Sequence, residues 1–513
     1  MLLGDVLRTA AGRAPDKQAL VFAESELTYR ELDQQSDRIA GALHRAGLAE
    51  GDRVALFFGN RPELVLCYFA CFKLGAIAVP LNNHYKGPEL AYAVNHAGAR
   101  ALVAEGGVFP EVVRVRAQLG SLEACYAVGE RAPEGARPFR RLLEEGGEGP
   151  SAPALAERDP AVIMYTSGTT AKPKGVTHTH FSLWHTIINQ VATRELTSDE
   201  ISLTSLSVCH IAAFAGQILT TIHAGGTIVL LPVSEPGALL DAIQRHRAST
   251  IQLLPAQLWD LVEHPRAADC DFGSLRCCIA GGDRVPPELQ ERFRALSGLE
   301  VAETCGMTES YSYAMNPPYG AKRLGSIGLP VHATSLRLID EAGADVARGA
   351  IGEILVRSDA TMAGYWDDPE HTAKTLQDGW LHTGDLGRVD DDRYYWFEGR
   401  RKEMIIHGGA NISPLEVEEA LYQHPAVGVA CVIGVPDRRL GEIVWGYVAL
   451  RHDAAPAPAA DELKAFVAHH IASYKVPERI EIVAELPVNA VGKVDRHALQ
   501  EQALTELNAQ AGG

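Results

Sequence analysis

The stretch 165–176 reads Tyr-Thr-Ser-Gly-Thr-Thr-Ala-Lys-Pro-Lys-Gly-Val, and no other part of the chain limits its chemistry as tightly. The apolar run Ala161, Val162, Ile163, Met164 before it suits a buried strand. Thr166, Ser167, Thr169 and Thr170 then supply hydroxyls, Gly168 and Gly175 allow a tight backbone, and Lys172 and Lys174 add positive charge. Hydroxyls, free N–H groups and cations on one loop suit a polyphosphate. Composition alone does not choose between that and a polar surface loop. A P-loop is excluded by spacing, because the second glycine would fall at Pro173 and Lys174 is followed by Gly175.

With 513 residues the chain is long enough for two or three domains with sizeable cores. Its 46% apolar and 22% charged residues are an ordinary globular mix. A formal net charge of −18 argues against nucleic acid or an anionic membrane as the main partner. The apolar region 64–81 is broken by Lys73 and Gly75, so a buried helix followed by a strand is expected rather than a membrane span. No signal peptide is evident near Met1, and the nine cysteines show no metal-like pairs. The expectation is a protein of the reducing cytoplasm.

In chain order, an amphipathic helix is expected to open at 27–32, a strand at 54–58, a helix at 63–74 and a strand at 76–81. This alternation points to α/β layers with largely parallel sheets. Residues 130–159, rich in Gly, Pro and Glu, read as an irregular connection, 178–191 as a helix, and 227–231 and 275–280 as strands. Short alternating runs at 335–339, 351–356 and 393–397 suggest antiparallel strands of a small barrel-like part. Residues 453–461 read as a Pro/Ala linker and 462–471 as a helix.

Further stretches carry chemistry. Cys305-Gly306-Met307-Thr308-Glu309 ends in a carboxylate suited to a hard cation, although a Thr-Glu pair alone is more often a helix cap. In Trp380-Leu381-His382-Thr383-Gly384-Asp385, the aspartate is an ionised acceptor suited to paired hydroxyl donors, or simply a turn residue. Gly399-Arg400-Arg401-Lys402-Glu403 leads to Gly408-Gly409-Ala410-Asn411-Ile412-Ser413-Pro414. Gly492-Lys493 lies within 487–496, where alone it would be a solvated turn. His210 sits in the run Ser207-Val208-Cys209-His210-Ile211-Ala212, where alone it would be a core histidine with one hydrogen bond.

Taken together and in this order, these stretches resemble the adenylate-forming superfamily of acyl- and aryl-CoA synthetases, peptide-synthetase adenylation domains and luciferase, closest to acyl-CoA synthetases. The matches run from Leu27 to Arg496. The chain departs from the family pattern at Ala171, usually glycine, and at Cys305, usually an aromatic residue against adenine. The resemblance implies ATP phosphates on Thr166, Ser167, Gly168, Thr169, Thr170 and Lys174, with Thr308 reaching a phosphate and Glu309 holding Mg2+. It implies adenine among Gly282, Asp283, Glu303, Thr304 and Cys305, ribose on Asp385, and Arg400 on the nucleotide. Lys493 would serve adenylation, His210 would gate the acyl pocket, and Gly408 and Gly409 would line the path of coenzyme A.

The implied fold is α/β: a large N-terminal domain over 1–400 built from α/β subdomains with the small barrel-like part, and a small mobile α+β domain over 401–513, hinged at Lys402. The implied activity is an ATP-dependent, AMP-forming carboxylic acid–CoA ligase that makes an acyl-adenylate and then a thioester. Ile211, Ala212, Ala213 and Phe214 offer no carboxylate for a substrate ammonium, so a fatty or other non-amino acid is expected. Ala212, Ala213, Ala215 and Gly216 are expected to leave room for an acyl chain, room that an aryl acid would use equally well. Transfer to the phosphopantetheine of a separate carrier protein is the alternative acceptor. A catalytically silent nucleotide-binding scaffold is the alternative of another class, against which Lys493, Glu309 and Asp385 argue.

Overall fold

The computed structural model describes the whole chain except residues 130, 148–153, 167–172, 408–409, 438, 452–453, 455, 490–491 and 512–513, and the side chains of 411 and 508–511. The described residues form two compact units: Met1–Leu324 with Gly328–Ser335 and Val356–Leu381, and Gly325–Ile327 with Leu336–Leu355 and His382–Gly513. The second unit thus takes in 382–400 as well as the residues beyond, whereas the expected division after 400 concerns which part turns.

In the first unit, short apolar runs alternate with helices and assemble as two large sheets. One has eight strands, with Ile77–Asn82, Arg53–Phe58, Ala101–Glu105 and Ala124–Val128 running parallel at its centre. The other has nine, with a parallel run through Thr227–Leu230, Ile201–Thr204, Thr250–Leu253, Cys277–Gly281 and Val301–Met307. Antiparallel strands flank both parallel cores, as in many mixed sheets. The helix Pro62–Leu74 is buried from Leu64 to Leu74, since a helix apolar on all faces over 64–72 must be covered on every side. Its neighbours in one core cluster include Leu56 and Phe58 of the first sheet and Ile228 and Leu230 of the second.

Lys73, which interrupts that apolar run, is only 2% exposed. Its ammonium donates to the Asp33 carboxylate at 2.6 Å and the Asp33 carbonyl at 2.7 Å, and lies 3.0 Å from the Asp37 carboxylate. The charge is buried because it is paired.

Two expected helix starts are corrected. Leu27 and Thr28 end the strand Ser25–Thr28, and the helix is Tyr29–Arg45, capped by the reciprocal Thr28–Glu31 box. Likewise His178 belongs to the strand Lys174–Thr179, and the helix is His180–Arg194, capped by Thr179. In both cases strand pairing holds residues whose local pattern is equally compatible with helix. Within the stretch expected to be irregular, Arg137–Pro138 forms a short strand and Arg140–Glu144 a helix.

Runs of short strands make a sheet from Ser335–Ile339, Gly352–Arg357, Trp380–Val389 and Tyr395–Arg400, most of whose residues belong to the second unit. A second sheet is built on the long hairpin Val427–Asp437 and Gly441–Leu450, with Arg479–Val483 added in parallel. Pro414–Tyr422 and Ala460–Ala468 cover one face through Val417, Leu421, Leu463 and Val467. Leu499 and Ala503 of the helix Arg496–Ala511 pack with Trp445 and Tyr447 in a separate cluster. All nine cysteines are free thiols, and Cys277 and Cys278 lie buried in a strand as expected. Among the described residues no helix is long and apolar enough to cross a membrane.

Candidate active site

The described ends of the stretch 165–176 lie on two paired strands. Pro160–Thr166 pairs antiparallel with Lys174–Thr179, and Thr166 faces Lys174 at the last described rung. Ser167, Gly168, Thr169 and Thr170 lie outside the described residues. Lys174 places its ammonium 4.9 Å from the ring centre of Tyr365. The Tyr365 hydroxyl in turn donates to Glu309 Oε1 at 2.7 Å. Burial, and then the Glu309 charge, push the Tyr365 phenol far above its ordinary value, so it remains a donor. This contact joins Lys174 of the candidate phosphate loop to the candidate metal carboxylate, and sequence reasoning did not point to Tyr365. No local signal points to it, because it lies 56 residues from its partner.

Thr308 and Glu309 form the two-residue turn between the strands Val301–Met307 and Ser310–Met315, so the helix-cap reading of this pair does not hold. Met362 N–H donates to the Glu309 carbonyl at 2.8 Å. From beneath, His178 Nε2 lies 2.7 Å from the Thr308 carbonyl and Nδ1 lies 3.1 Å from Ser182 Oγ. Burial lowers the His178 pKa to about 4, so the ring is neutral and the carbonyl assigns the proton to Nε2. The strand Lys174–Thr179, through His178, therefore also holds the Thr308–Glu309 turn.

The expected adenine residues divide. Gly281 must be glycine because a Cβ there would lie 2.2 Å from the Thr304 carbonyl, and Gly282 turns the chain out of its strand at φ 86°. Asp283 follows and is exposed. Glu303 points elsewhere: its carboxylate accepts from Val285 N–H at 3.3 Å and from Gln290 Nε2 at 2.8 Å. Burial raises it to about 7. Thr304 is hydrogen-bonded to Ser312 Oγ and the Ala314 carbonyl within the same hairpin. Cys305 is half-buried, with its sulfur 3.0 Å from the hydroxyl of the fully buried Tyr313.

His210 is half-buried and precedes the helix Ile211–Ala213, which continues as the π-helical Phe214–Leu219. The expected room beyond it is largely absent. Ala213 and Ala215 belong to the hydrophobic core, and a side chain at Gly216 would collide with the Tyr311 hydroxyl. Of the four small residues, Ala212 alone is half-buried. Small residues here serve close packing, which sequence cannot distinguish from an empty pocket.

In the second unit, Asp385 and Arg400 are direct cross-strand partners, with Arg400 Nε 3.2 Å from Asp385 Oδ1. Asp385 is 3% exposed and its N–H donates to Thr383 Oγ1 at 3.0 Å. Glu353, another residue not anticipated, accepts from Gly384 N–H at 3.0 Å and pairs with Arg401 at 3.2 Å and His382 at 3.6 Å. It ties the aspartate loop to the residue after Arg400. Lys402 sits in the 3-10 turn Arg401–Glu403. Gly408 and Gly409 lie outside the described residues. Lys493 is half-buried in a tight loop: its N–H donates to Asn489 Oδ1 at 3.1 Å and its carbonyl accepts from Asn489 N–H at 2.7 Å. Among the described residues no three His, Cys, Asp or Glu side chains converge as a metal cage.

Comparisons with known proteins identify the relatives of the chain. The sequence profile of the AMP-binding enzyme family matches residues 7–366, and that of the AMP-binding enzyme C-terminal domain matches 416–493. The chain is 36% identical over 490 residues to a feruloyl-CoA synthase of Amycolatopsis sp, covering 94% of this chain and 95% of that protein. It is 34% identical over 504 residues to an indoleacetate–CoA ligase of Aromatoleum aromaticum, covering 98% of each. The crystal structure of the anthranilate CoA ligase AuaEII with anthranoyl-AMP superposes with a TM-score of 0.92 at 29% identity, covering 98% of this chain and 97% of that one.

Proposed function

We propose, from the premise that the chain belongs to the AMP-binding enzyme family, that it is an AMP-forming ligase joining a carboxylic acid without an α-amino group to coenzyme A. The observation that carries the reading is the contact chain from Lys174 through Tyr365 to Glu309, which sets a cation, a phenol and a carboxylate along one wall beside the Thr308 turn. A polyphosphate needs such a wall, and a purely structural hairpin does not.

In the first half-reaction a carboxylate oxygen of the acid bonds to the α-phosphorus of ATP and the bond to the β-phosphate oxygen breaks. The products are acyl-AMP and pyrophosphate. In the second, the thiol of coenzyme A bonds to the acyl carbon, its proton is lost, and AMP leaves. Negative charge grows on phosphate oxygens in the first step, and Lys174, Thr308 and Lys493 are the groups of this chain that answer it. Glu309, a carboxylate held by the Tyr365 hydroxyl, would hold Mg2+, a hard cation suited to oxygen ligands. The ion would supply charge neutralisation there. Asp385, buried and steadied by Arg400, suits the ribose hydroxyls.

The part from Lys402 onward turns between the half-reactions, bringing Lys493 to the phosphate first and the segment of Gly408 and Gly409 afterwards. The relatives named for ferulate, indoleacetate and anthranilate support an aryl or similarly compact acid. A carrier-protein phosphopantetheine is the competing acceptor. The test is a pyrophosphate-release screen over a panel of acids, with coenzyme A, with a phosphopantetheinylated carrier protein, and with neither. With coenzyme A, AMP, pyrophosphate and thioester in equal amounts are expected; with neither acceptor, pyrophosphate and acyl-AMP should form without thioester. ADP and phosphate as products would overturn the reading.

A further inference from the structure

We propose that Arg496 is a positioning residue for Lys493, tying the loop that carries this lysine to the hinge turn through Glu403. This rests on the ligase reading above and concerns how its adenylating pose is set. Lys493 lies on a connection whose ends are held together. Val488 and Val494 form an antiparallel bridge, and Asp495 N–H donates to the Pro487 carbonyl at 2.8 Å. Asn489 binds both the N–H and the carbonyl of Lys493. The Asp495 carboxylate then caps the helix Arg496–Ala511 by accepting from Ala498 N–H at 3.1 Å. The lysine loop and the helix start are therefore one piece, and whatever places Arg496 also places Lys493, three residues before it.

The Arg496 guanidinium reaches three other segments, all in the same compact unit. Nη1 donates to the Val432 carbonyl at 2.7 Å, and Nη2 lies 2.8 and 3.0 Å from the two carboxylate oxygens of Glu418. Glu418 is 5% exposed and also accepts from Val432 N–H at 2.7 Å. These bonds close a satisfied ring with the helix Pro414–Tyr422 and the strand Val427–Asp437, and they belong to folding. The third contact is of another kind. Arg496 Nε lies 3.6 Å from Glu403 Oε2. Glu403 ends the 3-10 turn Arg401–Glu403, directly after Lys402, and its side chain is 33% exposed. A partly exposed ion pair adds little to stability, so this one is a poor core anchor.

Its value is mechanical. A turn about Lys402 carries the residues beyond it, and a small angular error at the hinge becomes a displacement at a distant loop. A misplacement of about 1 Å near a reacting centre can cost on the order of 10²-fold in rate. Arg496 links the residue next to Lys402 directly to the helix start beside Lys493. The link sharpens the pose in which Lys493 meets the phosphate. Thioester formation does not use Lys493, so that step does not depend on the link.

The experiment is single-turnover kinetics on the full-length enzyme with whichever of ferulate, indoleacetate, anthranilate and hexanoate releases pyrophosphate fastest. Acyl-adenylate formation is measured apart from conversion of supplied acyl-adenylate to thioester. Glu403→Gln, Arg496→Lys and the double variant are compared with the wild type after a thermal-melt check. Glu403→Gln leaves the Glu418 ring intact and should melt as the wild type does. Its adenylate formation should slow about two- to fivefold, the scale of such an ion pair, through kcat and with KM for Mg·ATP unchanged. Arg496→Lys keeps a charge for Glu418 but loses the fork, and should slow the same step about tenfold. The double variant should be no slower than Arg496→Lys, because both changes remove one contact. Conversion of supplied acyl-adenylate should stay within about twofold of the wild type throughout. Wild-type adenylation by Glu403→Gln, equal slowing of both half-reactions, or additive losses in the double variant would each overturn the proposal. Glu403→Gln alone decides it if Arg496→Lys fails to fold. A wild type that releases no pyrophosphate with any acid would remove the ligase reading itself, and the positioning role with it.

Discussion

Tyr365 shows how a single side chain can carry a site without a sequence signal. Its hydroxyl gives Glu309 a charge-assisted hydrogen bond, and its ring faces the Lys174 ammonium. Tyr365→Phe keeps the ring and removes the donor. A hydrogen bond to a charged group is worth about 1.5–3 kcal/mol, so kcat/KM for Mg·ATP should fall roughly ten- to hundredfold. Steady-state kinetics at varied Mg·ATP checks this, and an unchanged value would remove Tyr365 from the site. His178 makes a different prediction, in stability. Its pKa is about 4 in the folded protein against about 6.5 unfolded, because burial penalises the charged ring. Between those values the unfolded chain binds more protons, so stability is lost as pH falls through the window, by up to roughly 3 kcal/mol for this group. His180, also lowered to about 4, acts in the same direction, while Glu303, raised to about 7, opposes both as pH rises. Urea unfolding at pH 7.5 and pH 5 should therefore show a smaller pH difference in His178→Gln than in the wild type. An equal difference would mean that the ring is not buried neutral.

At the scale of elements, the packing of Tyr29–Arg45 on Pro62–Leu74 contains a testable choice between charge and apolar contact. Lys73 projects from an otherwise apolar helix and is met by Asp33 and Asp37 from the other. Removing both carboxylates strands a buried ammonium, which should cost about 2–4 kcal/mol, reduced from the fully buried case because the aspartates are partly exposed. Lys73→Met replaces the charge with an apolar side chain of similar length and should change stability by less than about 1 kcal/mol. Denaturant midpoints for Asp33→Ala/Asp37→Ala and for Lys73→Met measure both. Equal losses would show that the pair contributes net stability and does not merely satisfy a charge. The elements also show how far local pattern reaches. Helix and strand centres such as Pro62–Leu74 and Arg53–Phe58 were legible from periodicity. The starts at Tyr29 and His180 were not, because pairing of Ser25–Thr28 and of Lys174–Thr179 captured residues that the pattern alone allots to helices.

At the scale of the whole molecule, the ligase reading requires one part of the chain to serve two chemical steps. Lys493→Ala removes a cation from the place where charge develops in adenylation, and a loss on the order of 10²–10³ in that step is expected. The same variant should still convert a supplied acyl-adenylate to thioester. Lys402→Pro should do the reverse, because proline fixes φ at the 3-10 turn where rotation is required. It should form adenylate and then stall before coenzyme A reacts. Single-turnover kinetics with each half-reaction started separately distinguishes the two, and equal damage to both steps in both variants would refute the alternation.

The sequence by itself determined the order of the motifs, the alternation of strand and helix, and the residue types at Lys174, Thr308, Glu309, Asp385 and Lys493, because these depend on local spacing and on the chemistry of single side chains. The tertiary structure decided which distant residues meet. Tyr365 reaches Glu309 across 56 positions, and Glu353 reaches Gly384 across 31. It also decided that Glu303 and Thr304 turn into their own hairpin and its neighbours, and that Gly216 receives a phenol where a void was expected. The physical reason is the same in each case. A contact between remote segments, and the filling of space beside a small residue, are set by how sheets and helices pack, and close packing leaves no mark in the local pattern of either segment.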